Sequence, residues 1–292
     1  TRSDLVTGVQ TCALPISVSH DHHDVVKYVG LKVAKLHPDL KDKLDKIMSK
    51  CGIDSSTFIL TNELDCSTLV IPDHITHIET TYDFDKPINK IVWSNNLISI
   101  KFGPNFNNPI DDVIFPDSVK HISFGINNNW SSFSKSLKKF YFPKSLVKYI
   151  NQGPGVKESV DNIIFPDSTE VIDLGYDYNV SIKKFKFPLS IKEFNFGCGY
   201  SQSLSNVLFP PNIILNFYQT DAFSILSINT HVYGIFITCI SSGKRGEITH
   251  LPPDLKILKC WSDTDKEQVK CQLPDEWKWT KNEYGIWICS SS

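Results

Sequence analysis

The chain has 292 residues, 41% hydrophobic and 12% aromatic, enough to bury a sizeable core. Its formal net charge of −2 supplies no strongly basic face, which argues against nucleic acid as the partner. No apolar run is long enough for a transmembrane helix, and no charged, apolar and small-residue segments follow one another as in a signal peptide, so a membrane role is not expected. The eight cysteines (Cys12, Cys51, Cys66, Cys198, Cys239, Cys260, Cys271 and Cys289) form no Cys-x-x-Cys pair and fit no zinc spacing. They read as reduced, buried thiols in a cytoplasmic protein.

In chain order, residues 1–16 come first. Val6 to Ile16 read Val-Thr-Gly-Val-Gln-Thr-Cys-Ala-Leu-Pro-Ile, which resembles the translation of a sequencing-adapter oligonucleotide. Residues 1–16 are therefore expected to be an artefact fused to a truncated reading frame and are set aside from the fold. Residues 17–56 read as a helical cap or as the remnant of an upstream domain. Asp24 is an N-cap, Val25, Val26, Val29, Val33 and Leu36 give an apolar face, and His37-Pro38 breaks the helix. Leu40, Leu44, Ile47, Met48 and Cys51 then recur at helical spacing, with Gly52 as C-cap. His20, His22, His23, Asp21 and Asp24 are too tightly spaced to close a metal shell without a distant ligand, so no metal is expected there.

From residue 57 onward a period dominates. Pro72, Pro116, Pro143, Pro166, Pro188 and Pro210 recur about every 22 residues, with Ser94 in the missing slot and five extra residues between Pro116 and Pro143. Apolar columns hold register with this slot. Ile71, Trp93, Phe115, Phe142, Phe165, Phe187 and Phe209 precede it directly, which places Phe187 in the core. Ile91, Val113, Phe140, Ile163, Phe185 and Val207 stand three before it, and Ile88, Ile110, Leu137, Val160, Ile182 and Leu204 six before it. On the far side Ile100, Ile122, Tyr149, Ile172 and Phe194 come at plus six, and Phe102, Phe124, Leu174 and Phe196 at plus eight. Gly103, Gly125, Gly175 and Gly197 follow. Each period thus carries two copies of apolar-x-x-apolar-x-apolar, one ended by Pro and one by Gly. Pro cannot donate to a strand ladder, and Gly leaves a strand by reaching positive φ. The expectation is one coil per period with two short strands, stacked into two parallel sheets, because a single coil cannot bury its own apolar face.

The stretch Phe102-Gly103-Pro104-Asn105-Phe106-Asn107-Asn108-Pro109-Ile110 resembles the FNIP repeat, with Phe84-Asp85-Lys86-Pro87-Ile88 as a near match. Tyr178-Asn179 and Tyr200-Ser201 fall in the same slots. The resemblance spans about residues 57–230 and fades over 231–250. Leu251-Pro252-Pro253-Asp254-Leu255-Lys256-Ile257-Leu258 resembles a leucine-rich-repeat turn, and Pro252 and Pro274 continue the period. FNIP repeats are similar to leucine-rich repeats and occur in amoeboid protists and the large DNA viruses that infect them. The period and the resemblance together lead to the expectation of a mainly β, parallel β-solenoid of ~22-residue leucine-rich-repeat-like coils over 57–292, and the residues at either end add a short α-helical N-terminal cap and a C-terminal cap bearing Trp277, Trp279 and Trp287. The resemblance also implies the host cytoplasm if the source is viral. Family members often pair the repeats with an F-box, as substrate receptors of a ubiquitin ligase. No F-box is recognisable in this sequence.

Catalytic chemistry is not expected. Asp117-Ser118 and Asp167-Ser168 fall in register with the period, as turn residues after Pro do. Gly243-Lys244-Arg245 lacks the flanks of a phosphate loop, no cofactor motif stands out, and Cys260 and Cys271 fall in inward slots. The outward columns differ. At plus seven Lys101, Ser123, Asp173 and Asn195 are polar. Two before the Pro slot stand Val70, Val92, Ile114, Tyr141, Ile164, Lys186 and Leu208, flanked at minus four by Lys90, Asp112, Lys139, Asn162, Lys184 and Asn206. An apolar stripe with a polar margin is how interaction surfaces look. Val92, Ile114, Tyr141, Ile164 and Leu208 are therefore the candidate protein-binding residues. β propensity on an exposed face and burial beneath the N-terminal helices are alternative readings of the same column. The inserted aromatics Trp130 and Phe133 either contact a partner or fold back onto the coil edge. The functional expectation is a non-catalytic protein-binding module with an unidentified protein partner. The alternatives are the repeat region of an enzyme whose catalytic part lies upstream, and a structural spacer.

Overall fold

The structure, a computed structural model, describes residues 56–125, 131–198, 200–217, 225, 227–228, 230–237, 251–252, 255–261, 266–267, 269 and 273–291. The expected helices over 24–51, the histidine cluster, Trp130, Gly243–Arg245 and Cys271 lie outside the described residues. The chain divides into two compact units, Thr1–Ile59 and Leu60–Ser292, and the second carries the repeats.

After β1 (Thr57–Leu60), whose last carbonyl accepts from Thr81, the unit is a stack of short parallel strands. These are β2 (His77–Thr80), β3 (Ser99–Phe102), β4 (His121–Phe124), β5 (Lys148–Asn151), β6 (Val171–Asp173), β7 (Glu193–Phe196), β8 (Ile214–Phe217), β9 (Gly234–Ile237) and β10 (Ile257–Cys260). Each pairs in parallel with the next. The pairing aligns Ile78, Ile100, Ile122, Tyr149, Ile172, Phe194, Leu215, Ile235 and Leu258 as one file, all fully buried. The expected parallel solenoid of ~22-residue coils is therefore present.

Three β-turns shape a coil, as the coil of Ser94 shows. Leu97 N–H donates to Ser94 C=O (3.1 Å), Phe106 to Gly103 (3.3 Å) and Val113 to Ile110 (3.0 Å). Pro suits the first turn because its fixed φ is that of a turn corner. Ser94 replaces it with a hydroxyl that accepts from Asn96 N–H (3.2 Å) and donates to Asp73 C=O (3.3 Å). The first and third turns close on inward columns, and Ile88, Ile110, Val113, Val119 and Val160 are all buried.

Four expectations change. The Pro-ended half does not form a second sheet: among the described residues it shows only the isolated bridges Val70–Val92 and Ile114–Tyr141. Positive φ explains Gly125 (93°) and Gly175 (113°) but not the whole glycine column. At Gly103 and Gly197 the reason is close approach, since a Cβ would lie 2.3 Å from Thr81 O and 2.5 Å from Tyr176 O. Phe187 is half-buried rather than interior. It packs on Phe185 and Phe194 with part of its ring exposed, and Trp93 and Phe209 in the same column are half-buried too. Pro274 does not start another coil. Its turn leads into β11 (Trp277–Lys281), which pairs antiparallel with β12 (Trp287–Ser291), itself antiparallel to β10.

The insertion is explained as well, while residues 238–250 of the faint stretch lie outside the described residues. Asn151 occupies the plus-eight slot beside Phe124 and is buried, accepting from Gly153 N–H (2.8 Å). Phe133, from the inserted segment, fills the space this shorter side chain leaves and stacks on Phe124 at 3.8 Å. Phe133 thus folds inward and is fully buried. In the file of paired residues, Phe194 is followed by Leu215 and then Ile235, shorter steps than the usual period. The slip moves the inward position from plus six at Phe194 to plus five at Leu215.

Candidate protein-binding face

The row two residues before the Pro slot lies outside the core. Ile114 is 73% exposed, Ile164 75% and Leu208 82%, and Val70, Val92 and Tyr141 are exposed as well. Lys186 continues the row and is also exposed. Its position follows from local geometry. The inward residues on either side, such as Val113 and Phe115, are buried, and alternation then points the residue between them outward. Where coils bridge, backbone groups are satisfied: Val92 N–H donates to Leu69 C=O (3.0 Å) and Val92 C=O accepts from Ile71 N–H (2.8 Å). Two margins flank the row. The minus-four residues Lys90, Asp112, Lys139, Asn162, Lys184 and Asn206 are exposed on one side, and Asp73, Asn95, Asp117, Lys144 and Asp167 on the other.

The outer face of the sheet is of another kind. Lys101 pairs with Glu79 at 3.4 Å. Asn195 Nδ2 donates to Asp173 Oδ2 (3.2 Å) and Asn216 Nδ2 to Asn195 Oδ1 (2.7 Å), a polar ladder across three coils. Burial pushes the Asp173 carboxyl up to about 6, although Gly175 N–H and the Asn195 amide pull it down. Burial likewise holds the His121 imidazole below its usual range, helped by the nearby charges of Lys148, Lys120, His77 and Lys101. In the sequence this column reads as merely polar.

A second ladder, equally hidden in the sequence, gives the FNIP-like asparagine a physical role. Asn62 Oδ1 accepts from Asp85 N–H (3.2 Å), Asp85 Oδ1 from Asn107 N–H (2.9 Å) and Asn107 Oδ1 from Ser134 N–H (3.1 Å). Asn179 Oδ1 accepts from Ser201 N–H (2.9 Å). Each side-chain oxygen satisfies a backbone donor of the next coil, where no strand ladder does so. The phenylalanines beside it stack, Phe84 on Phe106 and Phe106 on Phe133. The signal that could have shown it is the recurrence of Asx residues one coil apart.

Asp117 and Ser118 are occupied with the same task. Asp117 accepts from Lys144 N–H (3.2 Å) and pairs with its ammonium (2.7 Å), and Ser118 donates to Leu97 C=O (2.7 Å). Ser168 donates to Leu146 C=O (2.8 Å). These hydroxyls bridge coils. Among the described residues no group of His, Cys, Asp or Glu is placed to hold a metal ion, and no helix is long and apolar enough to cross a membrane.

Residues 94–127 match the family model described as FNIP Repeat, the coil in which Phe102, Phe106 and Phe124 stack and Asn107 reaches the next coil. No curated protein sequence matches the chain. Among solved structures it aligns with CroV588, described as a novel circular LRR protein, at 18% identity and a TM-score of 0.46. That alignment covers 70% of this chain and 38% of the other.

Proposed function

From a chain that carries an FNIP repeat at residues 94–127, we propose a non-catalytic protein-binding module. Its contact face is the exposed row of Val92, Ile114, Tyr141, Ile164 and Leu208. The row itself is the supporting observation: exposed apolar side chains at one position of the coils, interrupted only at Lys186, outside a core that is already filled. β propensity is a weak alternative, because this side of the coil forms isolated bridges rather than a sheet, and Leu208 is not a strand-former by preference. The substrate-receptor role in a ubiquitin ligase is a finer form of the same reading, supported by family association alone.

The test is the double substitution Ile114→Glu with Ile164→Glu. The melting temperature is expected to stay within about 2 °C of the parent, because exposed positions tolerate charge, while proteins recovered by the parent from a cell lysate are lost. A large fall in melting temperature would mean that the row is packed, and the reading would be wrong. For the finer form, sequencing the gene across the Ile16–Ser17 junction and finding no F-box would remove it.

A further inference from the structure

We infer that the occupant of this row is an amphipathic α-helix of about 16–19 residues with acidic side chains along one flank, a claim that rests on the protein-binding reading above. Three observations select it. The first is length and repeat. Neighbouring parallel strands lie ~4.8 Å apart, so the row from Val70 to Leu208 runs about 29 Å, the length of a helix of ~19 residues at 1.5 Å per residue.

The second is the state of the backbone. Val92 N–H and C=O are already bonded to Leu69 and Ile71 of the neighbouring coil, and the stacked segments run across the row. A strand laid along it finds no ladder to join, so the partner must bind through side chains, as a helix in a groove or on a stripe does.

The third is charge. Lys90, Lys139 and Lys184 occupy alternate coils of one margin and are exposed, with Asp112 and Asn162 between them and Asn206 after. Lys144 on the opposite margin, and Lys101, Lys138 and Lys192 away from the row, each pair with a carboxylate, whereas other exposed lysines such as Lys120 and Lys183 share the unpaired state of this margin among the described residues. Among the described residues no ion pair forms at Lys90, Lys139 or Lys184. Alternate coils are about 10 Å apart, close to the ~10.5 Å between residues i and i+7 of a helix. A glutamate at every seventh position would meet each lysine in turn, and Lys186 in the row itself favours the same sign. A second copy of the chain fits poorly. A two-fold axis along the row sets Asp112 against Asp117 and Lys139 against Lys144, and one across the row sets Lys90 against Lys184.

The experiment uses the full chain and a fluorescein-labelled 20-residue peptide with a leucine stripe and glutamate at every seventh position beside it. A twin peptide carries lysine at those positions. Fluorescence anisotropy is expected to show the glutamate peptide binding at least about tenfold tighter at low salt, the ratio shrinking as added salt screens the charges. Circular dichroism is expected to show helix gained on binding. The triple variant Lys90→Glu, Lys139→Glu, Lys184→Glu should reverse the preference. Equal affinity for the two peptides, binding without gain of helix, or no binding by either overturns the helix. Self-association that is lost in Ile114→Glu names a second copy instead and also overturns it. If lysate capture still depends on Ile114 and Ile164 while both peptides are ignored, the helix falls and the protein-binding reading stands. If capture survives Ile114→Glu with Ile164→Glu, both fall.

Discussion

Each coil contains the same apolar-x-apolar motif twice, yet one side becomes a continuous parallel sheet and the other only scattered bridges. The difference lies in the spacing of the turns. On the sheet side, the turn that begins at the Pro slot closes at Leu97 or Val119, and the next begins at Gly103 or near Gly125. Five residues lie between them, room for a four-residue strand such as Ser99–Phe102. On the other side, the turn that closes at Val113 is followed almost at once by the turn that opens at Pro116. Only Ile114 and Phe115 remain between them, and Pro116 itself has no N–H to give. Hydrophobic alternation proposes a strand, and the distance between turns decides whether the ladder can form.

Cavity formation in the two files should break this comparison most sharply. Phe194, on the sheet side, is fully buried against Phe185, Phe187 and Phe196. Phe194→Ala is expected to cost about 3–5 kcal/mol. Phe187→Ala, on the half-buried side of the same coil, should cost roughly half as much, since part of its ring is already in water. Chemical denaturation of both variants checks the ratio, and equal losses would mean that the two sides are packed alike.

Next in size is a change at the turn that ends the strand. Gly103 N–H donates to Thr80 Oγ1 (2.7 Å), and a Cβ at this position would meet Thr81 O at 2.3 Å. Gly103→Ala must push one coil from the next, at about 1–3 kcal/mol. Gly285, in the terminal hairpin, has positive φ but open space around it, its nearest neighbour being Lys281 Cε at 3.9 Å. Its alanine variant should lose only the conformational cost, about 1 kcal/mol. Comparing the two separates crowding from backbone strain.

Much of this was legible in the sequence. The columns at minus six, minus three, plus six and plus eight are buried, as are Leu97, Val119, Leu146 and Ile191 at plus three, because a stacked coil exposes its errors in every copy. What was not legible depends on contacts between copies. Two turns too close together erase a strand without altering its pattern. The slip from Phe194 to Leu215 leaves the chemistry unchanged and moves only the count. The ladders from Asp85 to Ser134 and from Asp173 to Asn216 use residues that read as ordinary polar surface until the coils are superposed.

The Asp173 ladder sharpens the comparison by pH. Its carboxyl titrates near 6 in the folded chain against 3.8 ordinarily, because burial disfavours the charge. Between those values only the folded chain holds the proton. Its contribution is therefore complete below about 3.8 and is lost as pH rises through about 6. Relative to Asp173→Asn, which fixes a neutral side chain, the parent should gain a few degrees of melting temperature between neutral pH and pH 5. Parallel curves would place the carboxylate in water.

The smallest effect belongs to the row. Ile164 is 75% exposed, its neighbours in the coil already carry the burial, and no strand ladder includes it among the described residues. Ile164→Glu should therefore change stability by no more than about 0.5 kcal/mol. Ile172→Glu, on the sheet side of the same coil and fully buried, should unfold the protein, since a charge placed there has no partner. Measured together by urea titration, the pair tests whether one coil really has a face kept for the fold and a face available for something else. A cost at Ile164 above about 2 kcal/mol would assign the row to the core. A cost near zero leaves its apolar character without a folding explanation, which is the reason to look for its partner.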